Sequence, residues 1–173
     1  MATSILYAKF AGFAYELPAL ASQADSFKAI YEEHQTRIYN LAFYLTDNEL
    51  TAEDLTTQVF SKTFAVNYTP SAEVLDRALV NELRETMPIG DLTLNVPAST
   101  ETANARRNVK RVVLERAVMS VPATERMIFL MHDVEGYDHS RIARTLNIST
   151  DEVRTGLHQA RLAVRRAVAE TKL

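Results

Sequence analysis

The sequence predicts an all-α protein of two helical units joined by a linker, and three observations predict it. Apolar residues recur at three- and four-residue intervals in both halves, the period of helices with one buried face. Residues 87–104, "MPIGDLTLNVPASTETAN", interrupt that period with two prolines and a glycine, and only Asp91 and Glu101 are charged there. Charge divides at the same place: residues 1–104 hold 6 Lys+Arg against 14 Asp+Glu, residues 105–173 hold 13 against 8, and together they give the net −3 of the 173-residue chain. An acidic body beside a basic unit suggests two different partners, a basic protein groove for the first and nucleic acid for the second.

The acidic part resolves into an extension and a bundle. Residues 1–25 include "SILYAKFAGFAYELPALAS", apolar but interrupted by Lys9, Glu16 and Pro18 and preceded by no basic stretch. That pattern predicts an extra amphipathic helix rather than a signal or membrane-inserted segment, and cytoplasmic residence by default. From residue 26, Phe27, Ile30, Tyr31, His34, Ile38, Leu41, Ala42 and Leu45 mark one helix face. A second helix over "LTAEDLTTQVFSKTFAV" is expected to open at Thr51, three residues before Asp54, with Leu55, Val59, Phe60 and Phe64 inward. A third, "SAEVLDRALVNELRE", turns Leu75, Ala78, Leu79 and Leu83 inward and must stop near Pro88. Residues 26–86 thus make a compact three- or four-helix bundle. Glu53, Asp54 and Gln58 lie on its polar face with little basic charge nearby, a pattern that suits a solvated face as well as a docking surface.

Residues 87–104 are the linker, with a fully extended reach of roughly 60 Å at about 3.3 Å per residue. The C-terminal unit, 105–173, divides into four helices. One covers roughly 104–120; Pro122 starts a second in its first turn, which Gly136 ends. Asp138 caps a third, whose inward residues are Ile142, Ala143 and Leu146. Asn147 stands where a left-handed residue is wanted, Ile148 plugs the turn, and Ser149 with Glu152 has capping-box spacing. This is the outline of a helix-turn-helix.

On the last helix Val153, Leu157, Ala160 and Val164 form an inward stripe, and Arg154, His158, Arg161 and Arg165 gather on one flank. Like charges so stacked repel, no acid is interleaved on the stripe, and a polyanion would relieve them. Thr150, Arg154, Thr155 and His158 are the candidates for base edges. Arg141, Arg144, Arg161 and Arg165 are better placed for phosphates.

Several functions are disfavoured. The chain has no cysteine, which removes disulfides, thiolate catalysis and thiolate zinc sites. Its four glycines form no phosphate-cradling loop. His34, His132, His139 and His158 show no short metal spacing, and no nucleophile–base arrangement stands out, so neither an enzyme nor a metal or other cofactor is expected.

Two blocks carry a family likeness: "FKAIYEEHQTRIYNLAFYLTDNELTAEDLTTQVF" and "SVPATERMIFLMHDVEGYDHSRIARTLNISTDEVRTGLHQARLAVRR". In that order they resemble the two conserved domains, regions 2 and 4, of the bacterial RNA polymerase sigma factors of the extracytoplasmic-function (ECF) group. The resemblance implies a region 2-like unit that docks on the β′ clamp of core RNA polymerase and melts the minus-ten element. It implies a region 4-like unit that reads the minus-thirty-five element of promoter DNA, and an anti-sigma factor as a further partner. By position, Glu53, Asp54 and Gln58 would touch the polymerase. Asn67 and Tyr68 would sit where an unpaired minus-ten base is captured, with Arg77 and Asn81 in the same region.

The chain departs from the family pattern in places. Val74 and Val80 stand where Trp and Arg are usual, and the third helix is acidic, with Asp76, Glu82 and Glu85 against Arg77 and Arg84. Gly156 and Gln159 stand where Arg is frequent, which removes two possible DNA contacts. Two alternatives follow: a sigma-like mimic that binds polymerase or an anti-sigma protein without melting promoters, and a dimeric helix-turn-helix repressor, which leaves the acidic half without a task.

Overall fold

The computed structural model describes residues 3–97 and 109–171, with side chains described from Gln23 to Thr171 within those ranges. All regular structure among them is helical. Helix α1 runs Thr3–Thr46, so the extension and the first bundle helix form one rod. It ends where Asp47 turns left-handed at φ 53°. Helix α2 is Glu49–Val66, and its N-cap is Asn48, whose side chain accepts the Thr51 N–H at 2.9 Å. The expected cap at Thr51 is therefore three residues late: Asn48 is as good a cap as Thr and lies directly after the turn. Helix α3, Ala72–Arg84, is capped by Ser71. Leu75, Leu79 and Leu83 are fully buried, each stabilising the bundle by about 1.5–3 kcal/mol. Ala78 is only half-buried, while Val80 and Asp76 are completely enclosed.

Helix α4 is Arg111–Met119; the part of the expected 104–120 helix before residue 109 lies outside the described residues. Helix α5 is Ala123–Phe129, with Pro122 at its N-cap rather than in its first turn. It runs on into a π-helical turn, Leu130–Val134, closed by the Glu135 N–H to Leu130 O bond at 3.0 Å, and Gly136 at φ +73° releases the chain. Helix α6, His139–Leu146, is capped by Asp138, and Asn147 is left-handed at φ 53°, ψ 49°. Helix α7, Thr150–Glu170, opens with the complete Ser149/Glu152 capping box. Its stripe of Val153, Leu157, Ala160 and Val164 is buried as expected, against α4, α5 and α6.

Residues 88–96 do not hang free between the halves. They lie extended along α5 and α7, with Leu92, Leu94 and Val96 half-buried at every second position and Asp91, Thr93 and Asn95 exposed. Three side chains of the C-terminal unit hold this strap. Thr124 accepts the Gly90 N–H at 3.0 Å and donates to Pro88 O. Glu125 accepts the N–H groups of Thr93 and Leu94 at 2.5 and 2.6 Å. Gln159 accepts that of Val96 at 2.6 Å. Lone backbone donors thus find partners they would otherwise seek in water. The described part of the linker is thus folded back onto the protein, and the rest of 87–104 lies outside the described residues.

Candidate nucleic-acid interface

The helix-turn-helix is α6, the Asn147–Ile148–Ser149 turn, and α7. Burial of the Val153–Val164 stripe forces the next flank outward, so Arg154, Thr155, His158 and Arg165 are exposed and Thr150 is half-exposed at the helix start. The repulsion expected on this flank is relieved within the chain. Arg154 pairs with exposed Asp151 at 2.7 Å. Arg161 makes a fork to Asp133 of the π-helical turn, 2.9 and 2.5 Å. The expectation of an unrelieved stripe is corrected: it considered only acids in register on α7, and these come from the preceding turn of the helix and from another element. The Arg161 fork first, against burial and then with help from His132, holds the Asp133 carboxyl below its usual range. The clamp's contribution is therefore present at neutral pH and lost as the pH falls through that lowered value. His132 stacks on His139, ring centroids 5.0 Å apart.

Arg141 and Arg144 face elsewhere, toward α3. Arg141 donates to Asp76 Oδ2 at 2.7 Å, and its guanidinium lies 3.6 Å over the Tyr137 ring. Arg37 of α1 donates to the other oxygen of Asp76 and to the Tyr137 hydroxyl. Burial first, then the Asp76 charge, pushes the Tyr137 phenol up to about 12. Arg144 forks onto Glu73, 3.2 and 3.4 Å, which holds the Glu73 carboxyl below its ordinary range. Sequence reasoning missed this cluster, although Asp76 sits at helical spacing from Leu79, Val80 and Leu83 and so belonged to an inward stripe.

Two further arginines bind the halves reciprocally. Arg84 of α3 donates to Leu146 O at the end of α6, 2.5 Å, and Arg126 of α5 donates to Tyr44 O and Leu45 O at the end of α1, 2.9 and 3.3 Å. Both cap orphan carbonyls at the negative end of a helix dipole.

The remaining candidates lie on the acidic half. Glu53, Asp54 and Gln58 are all exposed on α2. Arg77 and Asn81 share an open groove with Lys62, Val66, Val74 and Glu82. Asn67 terminates α2 and its side chain accepts the Thr69 N–H; Tyr68 is 66% exposed. The acidity of α3 is smaller at its surface than in its sequence, because Asp76 is buried between two arginines and Glu82 is paired with Lys62 at 2.6 Å.

The departures at 156 and 159 have a packing cause. Gly156 is buried beneath the strap: a Cβ there would lie 2.6 Å from Ile128 Cδ1 and 2.8 Å from Leu92 Cδ2. Both contacts are shorter than 3 Å, so both side chains must shift: Ile128, the nearer, inside a sealed core, and Leu92 on a segment without secondary structure. Gly156→Ala should therefore lower the denaturation midpoint, even though the helix gains about 1 kcal/mol from losing a glycine, and should raise amide exchange around Leu92. An unchanged midpoint would mean that the core around Ile128 adjusts at little cost.

Residues 111–164 match the family model "Sigma-70, region 4". A curated relative, "ECF RNA polymerase sigma factor SigE" of Mycolicibacterium smegmatis, is 26% identical over 160 residues, which is 84% of this chain and 62% of that protein. This chain thus spans less than two thirds of that relative's length. Among solved structures, the sigma factor RpoE of Bartonella quintana, determined in complex with the anti-sigma factor NepR, superposes with a TM-score of 0.61 at 15% identity, over 84% of this chain and 98% of that one. The matched stretch of the C-terminal unit is similar to sigma-70 region 4, and the superposition on RpoE shows a shared all-helical fold.

Proposed function

We propose that the protein is an RNA polymerase sigma factor that binds core enzyme through the Glu53/Asp54/Gln58 face of α2 and directs initiation at a limited set of promoters. In this reading the N-terminal edge of α7 reads the minus-thirty-five element, and the α2–α3 groove with the Asn67–Tyr68 loop handles the minus-ten strand. By analogy with the relative that superposes on it, an anti-sigma factor is a further partner. The observation that carries the reading is the region 4 helix-turn-helix with Arg154, Thr155 and His158 outward over a fully buried stripe. The two-domain organisation, 26–86 and 105–173 about a connecting segment, belongs to the same proposal.

Transcription in vitro with bacterial core polymerase and genomic DNA tests it. Discrete new start sites sharing two upstream motifs are the expected result. Stable core binding with no starts would replace it with a docking-only mimic, and operator binding without polymerase would favour the repressor. Arg154→Ala should weaken minus-thirty-five binding by about 1–3 kcal/mol, the value of a bidentate base contact. An unchanged sequence preference in a binding-site selection would remove Arg154 from that role.

A further inference from the structure

We propose that the N-terminal half of α1 is a self-association surface, on which the same segment of a second copy of this chain packs antiparallel. The proposal does not depend on the sigma-factor reading.

Helix α1 carries one unbroken heptad repeat. From Leu6 the spacing alternates four and three through Phe10, Phe13, Leu17, Leu20 and Ala24, and it continues without a shift through Phe27, Tyr31, His34, Ile38, Leu41 and Leu45. Such a repeat is the stripe of a helix that has a partner helix along its whole length. Its C-terminal half finds that partner within the chain. Leu45, Leu41 and Ile38 are 5%, 2% and 0% exposed, and Phe27 stacks on Phe64 in the last turn of α2, ring centroids 4.4 Å apart. There α2 stops. At about 1.5 Å per residue the 44 residues of α1 span roughly 66 Å and the 18 of α2 only roughly 27 Å. Among the described residues, the stripe loses its cover as it leaves the bundle. Tyr31 is 41% exposed and Ala24 is exposed, and at the end of α2 Val66 and Tyr68 are 86% and 66% exposed.

The local sequence of this segment is a poor match to a helix standing alone. The backbone is helical through Gly12 and Pro18, although glycine costs a helix backbone entropy, proline removes a hydrogen bond, and short isolated helices are marginal in water. Packing along the stripe supplies what propensity lacks. Both residues fall at outer heptad positions, where they do not interrupt it.

The charges choose the partner and its direction. Lys9 and Glu16 carry the only charged side chains in residues 1–24. Written abcdefg, Phe10 and Leu17 are a positions, Leu6 and Phe13 are d positions, and Lys9 and Glu16 are both g. In an antiparallel pair a stacks on d and g meets g, where charges set partner and orientation. One register places Leu6 opposite Leu17 of the second copy and Phe10 opposite its Phe13, each repeated by the two-fold axis. The same register sets Lys9 opposite Glu16 of the second copy and Glu16 opposite its Lys9. Sliding by one heptad sets Glu16 against Glu16 or Lys9 against Lys9, and in a parallel pair both charges meet alanines, Ala14 and Ala21. The favoured overlap ends with Thr3 of the second copy level with Leu20, short of Phe27 where α2 begins to cover the stripe. Two phenylalanines per copy at about 150–250 Å² each, with the leucines, bring the pair to the roughly 1,000 Å² that a specific interface needs.

The test uses the full chain. Sedimentation over a concentration series gives the mass. Because the chain has no cysteine, a single spin label on Ala29→Cys, an exposed position of α1 outside the stripe, gives the direction. Lys9→Glu and Glu16→Lys probe the register, alone, mixed with one another, and combined in one chain. Thermal melting at the parent's temperature confirms that the bundle of each variant is intact.

The expected parent is a dimer of twice 19.4 kDa. Its labels should lie roughly 50 Å apart, about 35 helical residues at about 1.5 Å each, whereas a parallel pair brings them within roughly 20 Å. Each single charge variant should self-associate about tenfold more weakly, because two weak attractions become two repulsions. The equimolar mixture of the two, and the double variant, should regain the parent's affinity, since every facing pair is again opposite in sign. A parent that stays monomeric up to millimolar concentration overturns the proposal, as does a dimer with the short label distance. Single variants that associate as tightly as the parent, or a mixture no tighter than its components, overturn the register that identifies the partner.

Discussion

Glu125→Ala will release residues 88–96 from the C-terminal unit and raise amide exchange at Thr93 and Leu94 by at least about a hundredfold. Glu125 stands at the third position of α5, where an acid commonly reaches back to the N-cap backbone N–H. Here the N-cap is Pro122 and has no N–H to give. The 1%-exposed carboxylate turns instead to the strap and accepts two backbone donors at 2.5 and 2.6 Å. Hydrogen bonds to a charged group contribute about 1.5–3 kcal/mol each, so losing both should cost the strap about 3 kcal/mol or more of local stability, a hundredfold in its opening equilibrium. The loss is partly offset in the core, because the second oxygen, Oε2, is buried without a partner. Exchange resolved to single amides checks this. Unchanged protection at residues 93 and 94, with Glu125→Ala folded, would show that Leu92 and Leu94 alone hold the strap.

Asp76→Ala will destabilise the chain by about 3–5 kcal/mol, the range for removing one partner from a buried ionic cluster. The carboxylate is fully enclosed between Arg37 and Arg141, whose Nη2 and Nε atoms respectively already lack partners. Its removal leaves two guanidinium groups and the Tyr137 hydroxyl facing one another across a seam. Replacing Arg37, Asp76 and Arg141 together with Met, Leu and Met should cost much less, because no uncompensated charge remains. Denaturant midpoints of the single and triple variants decide it. A single-variant loss below about 1 kcal/mol would mean that water or an ion relieves the arginines.

Periodicity made most of the fold legible. The α7 stripe, the Ser149/Glu152 box, Asn147 and the cap at Asp138 are local events, written by residues a few positions apart. The exposed flank of α7 was legible for the same reason, since a helix with one face assigned to the core has its other face assigned to solvent. What could not be read were pairings across long separations. Asp76 with Arg37 and Arg141, Glu73 with Arg144, and Glu125 with residues 93 and 94 depend on how elements dock, and a charged residue carries no periodic signature of its partner. Gly156 and Gln159 looked like lost DNA contacts for that reason, when their neighbours are Leu92 and Val96. The late placement of the α2 cap is a smaller case: two good capping residues three positions apart, Asn48 and Thr51, compete, and the one next to the turn wins.

The bond from Arg126 to the end of α1 bears on how the polypeptide is made. A ribosome delivers the acidic half first, and the carbonyl of Tyr44 meets its arginine only when residue 126, 82 positions downstream, has emerged. Until then the last turn of the long first helix relies on water, and the fully enclosed Asp76 has only Arg37 beside it. Nascent chains arrested before residue 126 should therefore be protease-sensitive around residues 44–47, and those arrested after the helix-turn-helix has cleared the exit tunnel should not. The basic half completes the acidic one during synthesis, so a truncated product is left unfinished at both its helix end and its buried charge.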